Sequence, residues 1–337
     1  MNKQDSAIFS RIKKRINQLI FAIWENFIKA TIPFWNKILS KVAETGLGSD
    51  NCLKNGYLPM PVHYYSPVPD ISDLEERKVW SKKSDLGGIA FQPNKQIQFM
   101  KKIGNKFGQE CAWPGQPDKN NPSSFYTENN SFSFGCAAAL HSIIRYHKPK
   151  RIIEIGSGFS SIVISSAVAL NDIEGVQNQY TIIDPYPDFV TERKISGIDE
   201  LVRTRVELTD AERFVKLECN DILFIDSGHT VRTGSDVNFL YLDVLPNLAP
   251  GVLVHIHDVC LPYEYPQAYF TNPSFRVFWT EAYLLQAFLA FNSKFEILMA
   301  LGYLMTDHKN EFQNAFPHYD SSIHKAVSGS FWIQRTK

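Results

Sequence analysis

Four ionisable side chains follow two apolar stretches of the sequence, and their types suit proton transfer or metal binding. Asp226 and His229 follow one apolar run, and His257 and Asp258 end the next one. If the two runs are adjacent parallel strands, their carboxyl ends meet at one edge of a sheet and the four groups come together. A histidine titrates near neutrality and can take a proton from a hydroxyl group, whereas carboxylate oxygens bind hard cations such as Mg²⁺. A rim of hydrogen-bonding groups for a substrate, without metal, is the alternative.

A loop with two glycines is a second candidate site. Gly156 and Gly158 permit a tight turn and a close approach of a ligand to the backbone, and the predicted helix after them begins with unpaired N–H groups. Glu154 would repel a pyrophosphate but suits a ligand that carries an ammonium or sulfonium group. Asp184, which ends the next apolar run, can accept hydrogen bonds from both hydroxyls of a ribose. Since Ser161 stands where the dinucleotide pattern requires a third glycine, a nicotinamide-dependent oxidoreductase is disfavoured, and an ordinary strand–turn–helix with a chance acid is the alternative.

Apolar, strand-like runs alternate with helical stretches from about residue 134 to the end of the sequence. The strand-like runs are 151–155, 180–184, 221–226, 251–257, 295–301 and 330–335. Helices are predicted at 136–146, 162–170, 235–245 and 280–292. This alternation predicts an α/β fold with a mostly parallel sheet covered by helices on both faces, and ligands of such sheets bind beyond the carboxyl ends of the strands.

Two segments of different character precede this region, so three parts are predicted: 1–45, 46–133 and 134–337. Residues 1–45 hold eight Lys and Arg against three Asp and Glu, and apolar residues recur there at helical spacing. Such a basic amphipathic helix either lies in a membrane interface or packs on the rest of the protein or on a second subunit, and Pro33 is expected to kink or end it. Residues 46–133 are rich in Gly, Pro, Asn and Ser, which predicts a cap or arm with short helices at 74–83 and 94–107.

The composition is that of an ordinary folded protein of 337 residues, 44% of which are hydrophobic. Lysine plus arginine equals aspartate plus glutamate at 35 each, and this zero net charge argues against nucleic acid as a partner. The five cysteines are an odd number without a Cys-x-x-Cys pair, which favours a reducing compartment over a disulfide framework or a zinc cage. Since residues 1–15 also lack the apolar region of a signal peptide, we predict a cytoplasmic location, with any membrane association through residues 1–45.

Four segments resemble the motifs of class I S-adenosylmethionine-dependent methyltransferases. Residues 154–161 (EIGSGFSS) and 182–187 (IIDPYP) resemble motifs I and II, and residues 221–229 (DILFIDSGH) and 251–258 (GVLVHIHD) resemble the fourth and fifth strands of that fold. Over roughly residues 134–337, the chain is most similar to the bacterial branch often grouped as methyltransferase family 24. The resemblance implies a Rossmann-like, seven-stranded, mostly parallel sheet of order 3-2-1-4-5-7-6, whose last strand is antiparallel, with helices on both faces.

The resemblance also implies a site for S-adenosylmethionine as the cofactor. The residues implied to bind it around the loop, against its methionine part, are Glu154, Gly156, Ser157 and Gly158. Asp184 would bind the ribose, and Asp210 would approach the adenine. Ser160 departs from the commonest form of motif I, in which a third glycine is frequent at this position.

In metal-dependent O-methyltransferases of the catechol and macrocin types, the fourth strand ends with a metal-binding Asp, and a catalytic base follows three residues later. Asp226 and His229 match this offset, and Asp258 matches a second metal-binding acid. The resemblance therefore implies that Asp226 and Asp258 hold Mg²⁺ and that His229 deprotonates the acceptor. Val259 stands where catechol-type enzymes place Asn, so the third ligand is left to water or to His257.

These observations predict a cytoplasmic O-methyltransferase that acts on a hydroxyl of a small-molecule or glycan-like acceptor. Tyr263, Glu264 and Tyr265 follow the rim directly and either line the acceptor pocket or pack on the N-terminal arm. A homo-oligomer is a further arrangement that the N-terminal helix permits. The alternative function is a non-catalytic cofactor-binding or scaffold subunit at a membrane surface, which the basic helix at residues 1–45 motivates.

Overall fold

The structure is a computed structural model that describes residues 3–324, 326 and 328–337, with side chains from residue 20 onward. Its contacts divide the chain into two compact units, Met1–Leu74 and Glu75–Lys337. This division falls inside the segment that the sequence predicts as a cap or arm. The three-part organisation therefore stays a prediction.

The first unit is dominated by one long helix, α1 (Lys3–Thr45), which is followed by α2 (Ser49–Lys54). The helix continues past Pro33 and does not end there, and the kink expected at this proline stays a prediction. Trp24 and Trp35 are exposed on α1. Within the described part of the chain, no helix combines the length and the apolar character needed to cross a bilayer.

The second unit is built on a seven-stranded sheet of order 3-2-1-4-5-7-6. The strands are β1 (Arg151–Ile155), β2 (Gln179–Ile183), β3 (Glu200–Val202), β4 (Ile222–Ile225), β5 (Leu253–Ile256), β6 (Phe295–Ala300) and β7 (Phe331–Arg335). β7 runs antiparallel to β5 and to β6, and the other strand pairs are parallel. The predicted fold class, strand order and antiparallel last strand are confirmed. β3 is a short, half-buried edge strand, so the sequence does not show it as an apolar run.

Helices connect the strands and pack beside them. Their bounds are α3 (Ile71–Glu76), α4 (Pro93–Phe107), α5 (Phe134–His147), α6 (Phe159–Ile173), α7 (Asp188–Arg193), α8 (Glu212–Val215), α9 (Asp236–Phe239), α10 (Gln267–Thr271), α11 (Glu281–Leu289), α12 (Leu301–Asp307) and α13 (Lys309–Ala315). α9 continues as a π-helical turn, Leu240–Val244. The helix predicted at 74–83 is replaced by α3 and a separate 3-10 turn at Val79–Ser81. α4 packs against α5 and β6, which joins part of the predicted arm to the α/β core.

The parallel strands end at one level, which places the residues that follow them side by side. Ile155 is the partner of Ile225, and Ile225 is the partner of Ile256. Hydrogen bonds continue this alignment, since the N–H of Asp226 donates to Ile155 O (3.0 Å) and the N–H of His257 donates to Ile225 O (2.9 Å). The central strands are buried on both faces, as is usual for apolar parallel strands. Their carboxyl edge is therefore the place where polar side chains can gather.

Candidate functional site

The turn after β1 depends on its two glycines in different ways. Gly156 has a left-handed backbone with φ of 79°, and a Cβ at this position would overlap the carbonyl oxygen of Asp226. Gly158 has an extended backbone, and no atom lies within 4 Å of the position that a Cβ would take there. The fold therefore requires glycine at position 156, whereas Gly158 leaves open space beside the N-terminus of α6.

Asp184 is fixed at the lip of this turn. Its Oδ2 accepts hydrogen bonds from the N–H (2.8 Å) and the hydroxyl (2.5 Å) of Ser157, and its Oδ1 accepts one from the N–H of Tyr186 (2.7 Å). The residue is largely buried but remains 8% exposed, and each carboxylate oxygen has two lone pairs, so Asp184 keeps acceptor capacity for a ligand hydroxyl. The structure thus brings Ser157 and Asp184 together. Asp210 is exposed just before α8, and its expected contact with an adenine stays a prediction.

Glu154 does not reach the surface of this turn, which differs from the direct ligand contact expected for it. The residue is fully buried, and its Oε1 accepts a hydrogen bond from the hydroxyl of Ser160 (2.6 Å). Its Oε2 accepts hydrogen bonds from the hydroxyls of Ser161 (2.8 Å) and Tyr180. Burial raises the pKa of Glu154 to about 7, against the effect of these hydrogen bonds. Glu154 therefore ties β1 to the first turn of α6 and to β2, and supports the loop from inside.

Asp226, His229 and Asp258 gather at the carboxyl edge of β4 and β5. Asp226 Oδ1 lies 3.1 Å from His229 Nε2, and Asp258 Oδ2 lies 3.8 Å from the same nitrogen. Among the described residues, these three offer ligand atoms that all lie within 4.8 Å of one another. His257, which the sequence offers as a third metal ligand, is not a member of this group, although its Nε2 lies 3.7 Å from Asp258 Oδ1. The nitrogen donor in this group is His229, whereas the sequence suggests His257 for that role.

A buried acid that the sequence analysis missed holds His229 from the other side. Glu281, the first residue of α11, has no exposed surface, and its Oε2 lies 2.8 Å from His229 Nδ1. The N–H groups of Thr280 and Glu281 also donate to the carbonyl oxygen of His229, at 2.9 and 3.0 Å. The ring of Trp279 lies 4.5 Å from the imidazole ring. The start of α11 therefore fixes the orientation of the imidazole, and the only signal in the sequence is an acid at the head of an apolar helix.

Two carboxylates flank the imidazole of His229 and favour its protonated form. Burial alone would lower its pKa, but the hydrogen bonds with Asp226 and Glu281 outweigh burial and raise its pKa well above the usual value. Burial would also raise the pKa of Asp226, but the positive field of His257 and the hydrogen bond with His229 lower it to about 2. With a carboxylate at each ring nitrogen, His229 has no free nitrogen for a substrate proton. The role of general base that the sequence suggests for His229 stays a prediction.

Two residues of the cluster adopt left-handed backbone conformations. The φ angles are 55° for His229 and 54° for Asp258. A residue with a Cβ reaches this region at a cost of roughly 1–2 kcal/mol, and such positions concentrate at functional sites. Gly329 permits the turn at Asp258, since a Cβ on residue 329 would lie 2.7 Å from the Cα of Asp258. The backbone at the rim is thus bent to present these two side chains.

A cavity of about 530 Å³ opens beside the cluster. His257 and Asp258 line one side of it, and Tyr269 lines another. The first turn of α5 and the chain before it contribute the side chains of Thr127, Glu128, Asn130, Ser131, Ser133, Phe134 and Cys136. Residues from the chain before β7 also line the cavity, namely Ile323, His324, Ala326 and Gly329. Its size suits a small-molecule ligand. The segment that the sequence describes only as a cap or arm therefore supplies most of the polar lining.

Tyr263, Glu264 and Tyr265, which are candidates for an acceptor pocket, do not line this cavity. Tyr263 donates a hydrogen bond to Asp307 Oδ1 (2.8 Å), and Glu264 accepts one from the hydroxyl of Tyr283 (2.5 Å). Tyr265 is buried, and its hydroxyl accepts a hydrogen bond from the backbone of α11. The chain after β5 thus packs on α11 and α12, and Tyr263 also forms a β-bridge with Lys83 of the predicted arm, which is the kind of contact that the packing alternative describes. The acceptor-pocket role of these three residues stays a prediction, and Tyr269, four positions after Tyr265, does line the cavity.

Comparisons with known proteins match the part of the chain that carries these groups. Residues 153–259 match a family model described as a methyltransferase domain. An uncharacterised protein of Archaeoglobus fulgidus is 31% identical over 183 residues, which are 51% of this chain and 81% of that protein. The crystal structure of the plantazolicin methyltransferase BamL, in complex with a triazolic desmethylPZN analog and SAH, is 13% identical over 71% of this chain and 99% of that chain, with a TM-score of 0.38. The plantazolicin methyltransferase BpumL in complex with SAH is 12% identical over 79% of this chain and 98% of that chain, with a TM-score of 0.36.

Proposed function

The chain belongs to the class I S-adenosylmethionine-dependent methyltransferases, and we propose that it methylates a hydroxyl oxygen of a small-molecule or glycan-like acceptor. The observation that supports oxygen as the acceptor atom is the cluster of Asp226, His229 and Asp258 beside the cavity. A hydroxyl is a poor nucleophile until its proton leaves, whereas a neutral amine already presents its lone pair. Two carboxylates and an imidazole at one point suit the removal of that proton, either directly or through a bound cation.

The residues around the glycine loop fit S-adenosylmethionine. The open space at Gly158 permits a close approach to the backbone, and the N-terminus of α6 can receive the carboxylate of the methionine part. Asp184 would bind the ribose hydroxyls, with Ser157 holding the carboxylate in place. Glu154 would act through the loop, because it is fully buried. When bound, the cofactor supplies a methyl group that is already activated by its sulfonium centre.

The chain itself must orient the acceptor and remove one proton. Transfer forms a bond between the acceptor oxygen and the methyl carbon, breaks the bond between that carbon and sulfur, and releases the hydroxyl proton. Asp258 belongs both to the cluster and to the lining of the cavity, so an acceptor in the cavity can present its hydroxyl there. Holding two reactants in line is a large part of such a reaction, since the methyl donor needs no further activation.

The lining of the cavity supports a polyhydroxylated acceptor. It combines the aromatic ring of Tyr269 with hydroxyl and carboxylate groups such as those of Thr127 and Glu128. Sugar hydroxyls need hydrogen-bond partners when they leave water, and an aromatic face can cover the apolar C–H side of a sugar ring. These groups favour a glycan-like acceptor over a purely apolar one.

Calorimetric titration with S-adenosylmethionine and with S-adenosylhomocysteine tests the cofactor assignment. The wild type should bind both, and Asp184→Asn should weaken binding by about tenfold or more, because a hydrogen bond to a charged group contributes about 1.5–3 kcal/mol. Asp172→Asn changes an exposed acid near the end of α6 and is the matched control, which should bind like the wild type. Absence of binding to the folded wild type would contradict the assignment.

Methyl-labelled cofactor offered with paired acceptors tests the acceptor atom. Each pair should consist of a sugar or phenol and the analogue in which one hydroxyl is replaced by an amine, and mass spectrometry with NMR should locate the label. We expect label on oxygen. Label that appears only on the amines would contradict O-methylation while leaving methyl transfer itself intact.

We further propose that the protein is cytoplasmic and that residues 1–45 make a peripheral membrane contact. The same helix can also form a homo-oligomer. The exposed aromatic pairs Trp24–Phe27 and Phe34–Trp35 on α1 support a contact of this kind, because exposed apolar patches mark sites that bind a protein partner or a membrane. Vesicle sedimentation and light scattering of the full chain distinguish the two partners.

A further inference from the structure

The cluster of Asp226, His229 and Asp258 has the spacing of a metal site. The two measured separations from His229 Nε2 are 3.1 Å to Asp226 Oδ1 and 3.8 Å to Asp258 Oδ2. Atoms that bind one ion at about 2.1 Å lie about 3 Å apart at right angles and about 4 Å apart on opposite sides. Both separations fall in this interval. The ligand atoms of all three side chains lie within 4.8 Å of one another, so an ion placed between them would be close to each.

The imidazole of His229 is held as metal-bound histidines are held. Metal-binding histidines usually give the N–H of their second nitrogen to a carboxylate, which fixes the ring and its tautomer. Here Glu281 Oε2 lies 2.8 Å from His229 Nδ1, and Glu281 is fully buried at the start of α11. This contact is on the opposite side of the ring from Asp226 and Asp258. It is therefore an observation independent of the spacing at the rim.

We propose that Asp226, His229 and Asp258 bind one divalent transition-metal ion, with His229 Nε2 as a ligand. The ion would occupy the place of the hydrogen that bridges His229 Nε2 and Asp226 Oδ1. Ion binding stands on its own, but the catalytic role of the ion rests on the proposed function. In that role Asp226, His229 and Asp258 would hold the ion beside the cavity, and the ion would supply Lewis-acid help for loss of the acceptor proton to solvent.

The ligand types decide which class of ion the site prefers. Mg²⁺ is bound almost entirely through oxygen, whereas an imidazole suits first-row transition metals such as Mn²⁺, Co²⁺ and Zn²⁺. A set of one nitrogen and two carboxylates therefore favours a transition metal over the Mg²⁺ that the sequence suggests. His257 lies outside this set, since its Nε2 is 3.7 Å from the other oxygen of Asp258 and it is not in the group of close donor atoms.

Titration with Mn²⁺ tests the site in the absence of cofactor and acceptor. The full chain is first treated with a chelator, and free Mn²⁺ is measured by electron paramagnetic resonance. The wild type should bind about one Mn²⁺ per chain, and Mg²⁺ should displace it only at a large excess. His229→Gln and Asp258→Asn should each weaken binding by about 100-fold, and Glu281→Gln by about tenfold, as expected for the loss of a ligand and of its support. His257→Gln is the matched control and should stay within about twofold of the wild type.

Three outcomes would overturn the proposal, provided that circular dichroism shows each variant to be folded. The first is no saturable binding of Mn²⁺ or Zn²⁺ by the wild type. The second is equal affinity in the wild type and in His229→Gln, and a loss confined to His257→Gln would then assign the nitrogen ligand to His257. The third is displacement of Mn²⁺ by an equal concentration of Mg²⁺. Retained metal binding in a chain that transfers no methyl group would contradict the proposed function alone.

Discussion

Glu154→Gln tests whether the carboxyl group beneath the glycine loop is neutral in the folded protein. Burial raises the pKa of Glu154 from an ordinary value of 4.5 to about 7. The folded chain therefore holds this proton more tightly than the unfolded chain, and ionisation of Glu154 costs folding free energy as pH rises from 4.5 through about 7. Each pKa unit corresponds to about 1.4 kcal/mol, so the cost approaches about 3 kcal/mol at high pH. Between about pH 5.5 and about pH 8.5, the wild type should lose about 2 kcal/mol relative to the variant.

Urea unfolding of the cofactor-free protein at the two pH values, followed by tryptophan fluorescence, measures this difference. The free energy of unfolding of the wild type minus that of Glu154→Gln should fall by about 2 kcal/mol between the two conditions. The exposed Glu192→Gln is the matched control, and its difference from the wild type should not change with pH. A constant difference for Glu154→Gln would refute the reasoning, because Glu154 would then carry the same charge in the folded and unfolded chains.

Gly156→Ala should lower the melting temperature by about 4–8 °C, since it adds left-handed strain and an overlap with Asp226 O. Gly158→Ala should change the melting temperature by no more than about 1 °C and should weaken binding of S-adenosylmethionine. Equal melting temperatures by calorimetry would contradict this division of roles. Tyr269→Ala should raise the acceptor KM by about tenfold and leave cofactor affinity unchanged. Weaker cofactor binding with an unchanged acceptor KM would contradict the placement of Tyr269 in the acceptor site. Deletion of residues 1–45 should leave cofactor affinity within about twofold of the wild type, since the second compact unit carries the site, whereas His229→Ala should abolish methyl transfer. The opposite pattern would favour the scaffold alternative.

The sequence predicts the sheet and the meeting of its rim residues because both follow from local pattern. Buried parallel strands read as continuous apolar runs, so β1, β4 and β5 are visible without a structure. Their ends share one level, which places Asp226 and Asp258 together as expected. Gly156 marks a turn that few other residues permit, because its backbone is left-handed and a Cβ there would overlap Asp226 O.

The remaining parts of the site depend on contacts between distant segments. Glu281 lies 52 positions beyond His229, and only the packing of α11 on the rim brings the two side chains to 2.8 Å. Tyr263 turns away from the cavity because Asp307, from α12, accepts its hydroxyl hydrogen. Glu154 lies inside a strand buried on both faces, so its side chain points into the helix layer and not toward the strand end. Hydrophobic pattern alone does not reveal any of these three contacts.

The left-handed backbones of His229 and Asp258 imply a conflict between thermal stability and activity. Glycine would occupy either position with less strain, so His229→Gly or Asp258→Gly should relax the main chain while removing a donor atom from the cluster. Selection for thermal stability alone would therefore favour glycine at Asp258, whereas at His229 the loss of the imidazole would leave the buried Glu281 without its partner and outweigh the relief of strain. A stabilised variant meant to keep its chemistry should draw its substitutions from elsewhere in the fold.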